Sequence, residues 1–263
     1  MLEPSGNGYL AIGSFTDHLT YGGMALIIAM ITASAAIHFP GKHIKRLIIP
    51  LTILNLAGLA VSFARSAILG LGVGIMMLIF QIHRNMRRYI LLFLVLGVVL
   101  TTILVPGLRE RFGNVFSSGE HSESPRIRLW LTSVEIIRHH LWFGVGQSNF
   151  GAAFDKYHLP GYYVSTAHPH CDLLSIAVDG GVLALGLFTW TMAVFFVKSF
   201  RSYRTAGSNA ARRMVTGCGI AVAASILLAG LFQNYLSDAE VASAFWFVVG
   251  LAMSQSDPEE VTA

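Results

Sequence analysis

Residues 167–174 read AHPHCDLL, two histidines and an aspartate directly ahead of a long apolar run. Histidine titrates near neutrality, so His168 and His170 are candidates for moving a proton. Asp172 and Asp179 are seven residues apart and share a helical face. Asp172 suits a helix N-terminus. Asp179 falls about two turns into the apolar run, where a carboxylate is costly. Arg65, within VSFARSAILG, sits at the joint between two apolar runs. Arg126 and Arg128 open a helix-like stretch, and a guanidinium fork binds phosphate through two parallel hydrogen bonds. Each residue also has a plainer reading. Arg65 can snorkel to lipid headgroups. Arg126 and Arg128 can belong to a solvated face beside Glu120, Glu123 and Glu135, and the histidines can cap a helix at the interface. His-x-His with one Asp lacks a further cluster of ligands, so no metal site is expected. GVGQSNFG (144–151) follows no strand and opens no phosphate-binding helix, so it reads as a turn rather than a nucleotide site.

These side chains must be held by a membrane protein. Of 263 residues, 54% are hydrophobic and only 12% charged, about half the charged share of a soluble domain. The mean hydropathy is +0.62. No acidic residue occurs between Asp17 and Glu110. Continuous apolar runs, rather than alternating ones, exclude a β-barrel. Residues 1–18 lack the basic and apolar regions of a cleavable signal peptide. The expectation is an all-α polytopic bundle, a single membrane domain over 1–263. Its seven spans fall near 19–37, 47–64, 66–82, 89–107, 172–197, 214–233 and 239–255.

Sidedness follows from three loops. Lys42, Lys45 and Arg46 lie in the first, Arg84, Arg87 and Arg88 in the second, and Lys198, Arg201, Arg204, Arg212 and Arg213 in the third. None of these loops carries an acid, and all alternate to one side, which the positive-inside rule makes cytoplasmic. The other side then receives the Arg65 turn, the long loop 108–171 and QNYLSDAE. Leu129, Trp130, Val134, Ile137 and Leu141 recur at helical spacing within that loop, predicting an amphipathic helix on the outer surface. Cys171 and Cys218 fall near opposite sides, so no disulfide is expected between them.

In combination these stretches resemble the O-antigen ligase and polymerase family of bacterial envelope proteins. SFTDHLTYGGMAL resembles a Gly-Phe-x-x-His-x-x-Thr-x-Gly segment at the start of a span, with His18 at the histidine. SFARSAILGLGVG resembles a Ser-Arg-Gly-Ala turn. RIRLWLTSVEIIRHHLWFGVGQSNF resembles an Arg-x-x-x-Trp helix followed by Pro-Leu-x-Gly-x-Gly. AHPHCDLLSIAVDGGVLALGLF resembles a His-Asn-x-x-Leu segment followed by Glu-x-Gly. The likeness spans nearly the whole chain. Cys171 stands where Asn is usual, Asp179 where Glu is, Leu141 where Pro is, and Ala64 where Ser is. Family members usually have about a dozen spans, so about five further N-terminal spans are expected.

The resemblance implies a glycosyltransferase that needs no metal or other cofactor and is embedded among membrane lipids. It would be a multi-pass protein of the bacterial inner membrane with its active face in the periplasm. The implied donor is a glycan on undecaprenyl diphosphate, and the implied acceptor is a lipid A core sugar or, for a polymerase, another lipid-linked repeat. No nucleic-acid partner is expected. His170 matches the family histidine, with His168 behind it. Arg65 and Arg126 are implied diphosphate ligands, with Arg128 in reserve. Asp172, Asp179 and His18 are implied supports. A transporter, or a non-catalytic subunit of envelope assembly, are the rival expectations.

Overall fold

The structure, a computed structural model, describes residues 2–5, 8–11, 15, 17–39, 41–62, 64–82, 125–160, 163 and 168–255. A short antiparallel hairpin comes first, β1 (Leu2–Ser5) and β2 (Gly8–Ala11), pairing Leu2 with Ala11. Helices follow: α1 (His18–His38), α2 (Lys42–Ser62), α3 (Arg65–Gln81), α4 (Pro125–His139), α5 (Phe150–Tyr157), α6 (Asp172–Thr205), α7 (Ala210–Ala229) and α8 (Ala239–Ser254). The bundle is helical, as its continuous apolar runs require; the hairpin is an addition that the sequence did not signal. The expected span at 89–107, the basic loop at 84–88 and the start of the long loop, 108–124, lie outside the described residues.

Four helices, α1, α2, α6 and α7, are long and apolar enough to cross a membrane; α3 and α8 are apolar but shorter, at 17 and 16 residues. α7 is the central helix. Its buried Ala221, Val222, Ala223 and Ile226 share one core with Leu26 and Met30 of α1, Phe195 of α6 and Phe245 of α8. Small residues permit this packing. A methyl on Gly70 of α3 would come within 2.5 Å of Ser225 O, so α3 meets α7 backbone to backbone with no room to spare. α2 lies at the periphery and exposes Leu47, Ile53 and Leu54, as a lipid-facing helix can.

Four boundaries differ from expectation by four residues or more. α2 starts at Lys42 rather than 47 and α6 runs to Thr205 rather than 197, so Lys42, Lys45, Arg46, Lys198, Arg201 and Arg204 are helical rather than in loops. Asn209 accepts from Arg212 N and starts α7 at Ala210, so Arg212 and Arg213 are helical rather than in the loop. At the other end α7 stops at Ala229, which leaves 230–238 as irregular chain where helix was expected up to 233. The two ends of the bundle are chemically distinct. At one end, Tyr203 OH donates to Gln81 O at 3.2 Å, and His38 Nε2 and Arg213 Nη2 lie 3.2 and 3.1 Å from the same hydroxyl. That end carries the basic residues at the start of α2, along the end of α6 and in the first turn of α7. The opposite end gathers the starts of α1, α3, α6 and α8 with the 230–238 loop.

α6 is not one continuous helix. Gly181 has φ 70 and ψ −172, a combination essentially restricted to glycine. The break frees carbonyls at membrane depth, where unsatisfied backbone is costly. The turn after α4 satisfies them: Val145 N donates to Val178 O at 2.8 Å and Gly146 N to Asp179 O at 2.9 Å, while Val182 N donates to Leu141 O at 2.8 Å. A methyl on Gly144 would overlap Val178 O, so GVG is a backbone clasp on the broken helix. α4 and α5 pack beside it. The buried face of α4 is Leu129, Thr132, Ser133 and Ile136, rather than the expected stripe, of which Val134 and Leu141 are exposed. Leu129 and Ile136 pack with Phe150, Phe154 and Val178. The inward Thr132 and Ser133 are satisfied by Tyr163 OH and by Leu129 O, which lets hydroxyls occupy positions that a hydrophobicity count assigns to the surface.

Candidate active site

The 230–238 loop is the centre around which the predicted residues assemble. Asp172, 3% exposed, opens α6 and ties the loop from both sides of its own backbone. Asp172 N donates to Gly230 O at 2.7 Å, and its Oδ1 accepts from Leu236 N at 2.9 Å. Asn234 Nδ2 donates to Ser175 Oγ at 2.6 Å, one turn further along α6. The phenol of Tyr235, fully buried, lies 2.9 Å from Ser66 Oγ at the start of α3. Burial, reinforced by the carboxylates of Asp172, Asp17 and Asp238, pushes that phenol up to about 12, so it stays protonated. Thr20 Oγ1 of α1 donates to Asp238 Oδ2, and Asp238 caps α8. Asp17 caps α1 by accepting from Leu19 N and Thr20 N at 2.6 and 2.9 Å. Four helices that start at this end are thus stitched to one loop.

His170 has φ 53, a left-handed backbone that a side chain with a Cβ rarely adopts. Such strain persists only where neighbours over-determine it, and it points to function. Three contacts hold it. His170 Nδ1 is 3.0 Å from Gln233 Oε1; His170 N donates to His168 Nδ1 at 3.3 Å; and Trp130 Nε1 of α4 donates to Pro169 O at 3.1 Å. Because the amide oxygen of Gln233 accepts, Nδ1 of His170 carries the proton and Nε2 keeps its lone pair. His168 is in the reverse situation. Its Nδ1 lone pair is engaged by the His170 amide, and its ring lies 4.1 Å from the His170 ring. Burial, then the neighbouring His170, push His168 down to about 4, with Asp17 opposing. It is neutral at physiological pH and lines a cleft of about 170 Å³ with Asp17, Gln233 and Asp238.

The arginines separate. Arg126 Nη1 donates to Phe232 O of the loop at 3.2 Å, and Phe232 also packs against Trp130. Arg128, two residues on, donates instead to Pro160 O, away from the loop. Arg65 is exposed at the first position of α3, next to the Ser66–Tyr235 bond. Arg65 and Arg126 therefore flank the same loop, and Arg128 does not. Asp179 is half-buried beside the Gly181 break, and His18 is the first residue of α1. Among the described residues no group of three His, Cys, Asp or Glu is placed to hold a metal ion. Gln233, Asn234, Tyr235, Asp17 and Asp238 are the site residues that spacing did not single out. Their signal was present as a polar island, QNYLSD, between two apolar runs.

A helical membrane bundle with a polar, arginine-flanked site at one end, overlaid by an external helix, is a membrane-embedded enzyme scaffold rather than a soluble domain. The chain belongs to the O-antigen ligase family, whose pattern matches residues 50–189, more than half of its length. The match includes Arg65, Arg126, both histidines, Asp172 and Asp179, and stops short of the 230–238 loop. No curated protein matches the chain. Family membership makes it, in general terms, a membrane glycosyltransferase of the O-antigen ligase kind, acting on lipid-linked glycans.

Proposed function

We propose that the protein transfers a glycan from undecaprenyl diphosphate to a sugar of lipid A core, at the periplasmic face of the inner membrane. The observation that carries this reading is His170: a histidine in strained backbone, its tautomer set by Gln233, beside a loop that Arg65 and Arg126 flank. The acceptor hydroxyl attacks the anomeric carbon as the bond from that carbon to the diphosphate oxygen breaks. The hydroxyl proton passes to His170 Nε2, and the diphosphate leaves on its undecaprenyl chain. Arg65 and Arg126 supply fixed positive charge where the leaving group becomes more negative. His168 is a positioning residue, because its lone pair already holds the His170 amide. Sidedness is supported by the basic residues at the far end of the bundle, which favour the cytoplasm. Charged groups at the two ends of the bundle, rather than strung through the spans, favour an interfacial enzyme over a transporter.

The test is transfer by the full chain in proteoliposomes, with a glycan-linked undecaprenyl diphosphate and either a lipid A core or a second lipid-linked repeat as acceptor. His170→Ala is expected to lower the rate on the order of a hundredfold to ten-thousandfold, and His168→Ala to lower it less, with chelator having no effect. Near-full activity in His170→Ala refutes the catalytic role. Product formed only with the second lipid-linked repeat makes the chain a polymerase instead.

A further inference from the structure

A second cavity, of about 370 Å³, borders the 230–238 loop at Leu236 and Ser237. Its polar lining comes from Asp172, Ser175 and Asp179 along one face of α6, with Gln147 from the clasp turn and Ser237 from the loop. Ile176 and Leu236 supply apolar surface between them. Two features in this wall are unexplained by packing. Asp179 is a half-buried carboxylate inside an apolar helix, and its side chain has no hydrogen-bond or ion-pair partner among the described residues. Asp172 Oδ2 is buried and likewise lacks a hydrogen-bond partner there. The glycine break at Gly181 and the GVG clasp fix where Asp179 and Gln147 stand relative to each other. The proposed histidine chemistry uses neither of them.

We infer that this cavity binds a saccharide, one sugar of a substrate whose reacting bond lies at His170. This rests on the transferase reading above and extends it. A sugar ring is rimmed with hydroxyls and has apolar C–H faces. Carboxylates and the oxygen of Gln147 accept from hydroxyls, Ser175, Ser237 and the Gln147 amide exchange hydrogen bonds with them, and the apolar patches take the ring face. A cation would need a denser set of ligands, and no group of three His, Cys, Asp or Glu is placed to hold one among the described residues. A transfer between two glycans needs two neighbouring saccharide sites, and Ser237 lines both cavities. The histidine cleft and this cavity border one loop, and Asp172 and Gln233 join both to it. The sugar belongs either to the donor or to the acceptor.

The experiment measures binding to the full chain in nanodiscs, using three probes: undecaprenyl diphosphate alone, the same lipid carrying one glycan repeat, and free lipid A core oligosaccharide. Asp179→Asn keeps size and shape, and Gln147→Ala changes an exposed turn residue, so both variants are expected to fold. Asp179→Asn is expected to weaken one of the two glycan probes about tenfold or more, the scale of a lost hydrogen bond to a charged group, and Gln147→Ala to weaken the same probe about two- to tenfold, the scale of a neutral one; both are expected to leave the bare lipid unchanged. Loss with the glycan-bearing lipid assigns the donor sugar, and loss with the core oligosaccharide assigns the acceptor sugar. Unchanged binding of all three probes, or equal weakening of the bare lipid, overturns the proposal. Failure of the transferase reading looks different: Arg65→Ala and Arg126→Ala would then leave bare-lipid binding unaffected.

Discussion

Replacing Gly230 by alanine tests whether the Asp172 brace sets the site. Gly230 has φ −66 and ψ −14, ordinary helical backbone, so alanine itself is unstrained there and is intrinsically favoured by several tenths of a kcal/mol. The added methyl, however, would overlap Asp172 Oδ2 and lie 3.0 Å from its Cγ and from Ile226 O. The carboxylate must retreat by about 1 Å to restore van der Waals contact. That displacement breaks the 2.9 Å bond from Leu236 N and leaves a part-buried amide unsatisfied, at a cost of about 1–3 kcal/mol. The loop that carries Gln233 then loses its tether, and His170 loses the group that sets its tautomer. The expected outcome is a fall in apparent melting temperature of roughly 2–12 °C, measured in detergent, together with reduced glycan transfer. Asp172→Ala should cost a similar amount, and adding Gly230→Ala to it should cost little more, because the clash and the bond are then both gone. Full stability and activity in Gly230→Ala, or fully additive losses in the double variant, would refute the reasoning.

Three further outcomes follow from the same geometry. Gly181→Ala places a methyl over Trp142 O and 2.6 Å from Phe143 N at a positive φ; it should destabilise by at least about 1–3 kcal/mol and speed proteolysis within 141–147, and an unchanged melt would show that the break in α6 is not needed. His168 has a lowered folded pKa, about 4 against an ordinary 6.5, so the unfolded chain binds the extra proton first. The contribution of His168 to stability is therefore full above pH 6.5 and is lost as pH drops toward 4; a difference between the melting profiles of the wild type and His168→Asn that does not change in that window contradicts this. Arg126→Lys should lower transfer much more than Arg128→Lys, since Arg126 donates to Phe232 O of the loop and Arg128 to Pro160 O; equal losses would return Arg128 to the site.

Much of the fold was legible because membrane insertion writes itself locally. A span of apolar residues, a missing run of acids and clumped arginines are one-dimensional consequences of a solvent that rejects charge and unpaired backbone. The starts of α1, α3, α6 and α8 fall within a residue of where the sequence puts them, for Asp17, Asp172 and Asp238 sit beside or at those starts. The polar residues before α6 were legible too, since charge at membrane depth is conspicuous. Less legible was the face of α4. Thr132 and Ser133 look like surface residues until Tyr163 and a carbonyl satisfy them, and no periodicity reports a partner 31 residues away.

What the sequence determined by itself is therefore the class of scaffold, the end of the bundle where chemistry gathers, and the residue types available there. Those depend on transfer free energies that each segment carries alone. The tertiary structure decided which of them meet. It ended α7 at Ala229, four residues before the expected end, and so added 230–233 to the connecting segment that Asp172, Asn234 and Tyr235 hold. It sent Arg126 and Arg128 to different neighbours, although they stand two residues apart. It also engaged the Nδ1 lone pair of His168 with the His170 amide and set Gln233 Oε1 against Nδ1 of His170. Except for the His168 contact, each of these outcomes rests on a hydrogen bond between residues tens to more than a hundred positions apart. Such a bond exists only once packing around α7 has brought its partners together and excluded the water that would otherwise satisfy them.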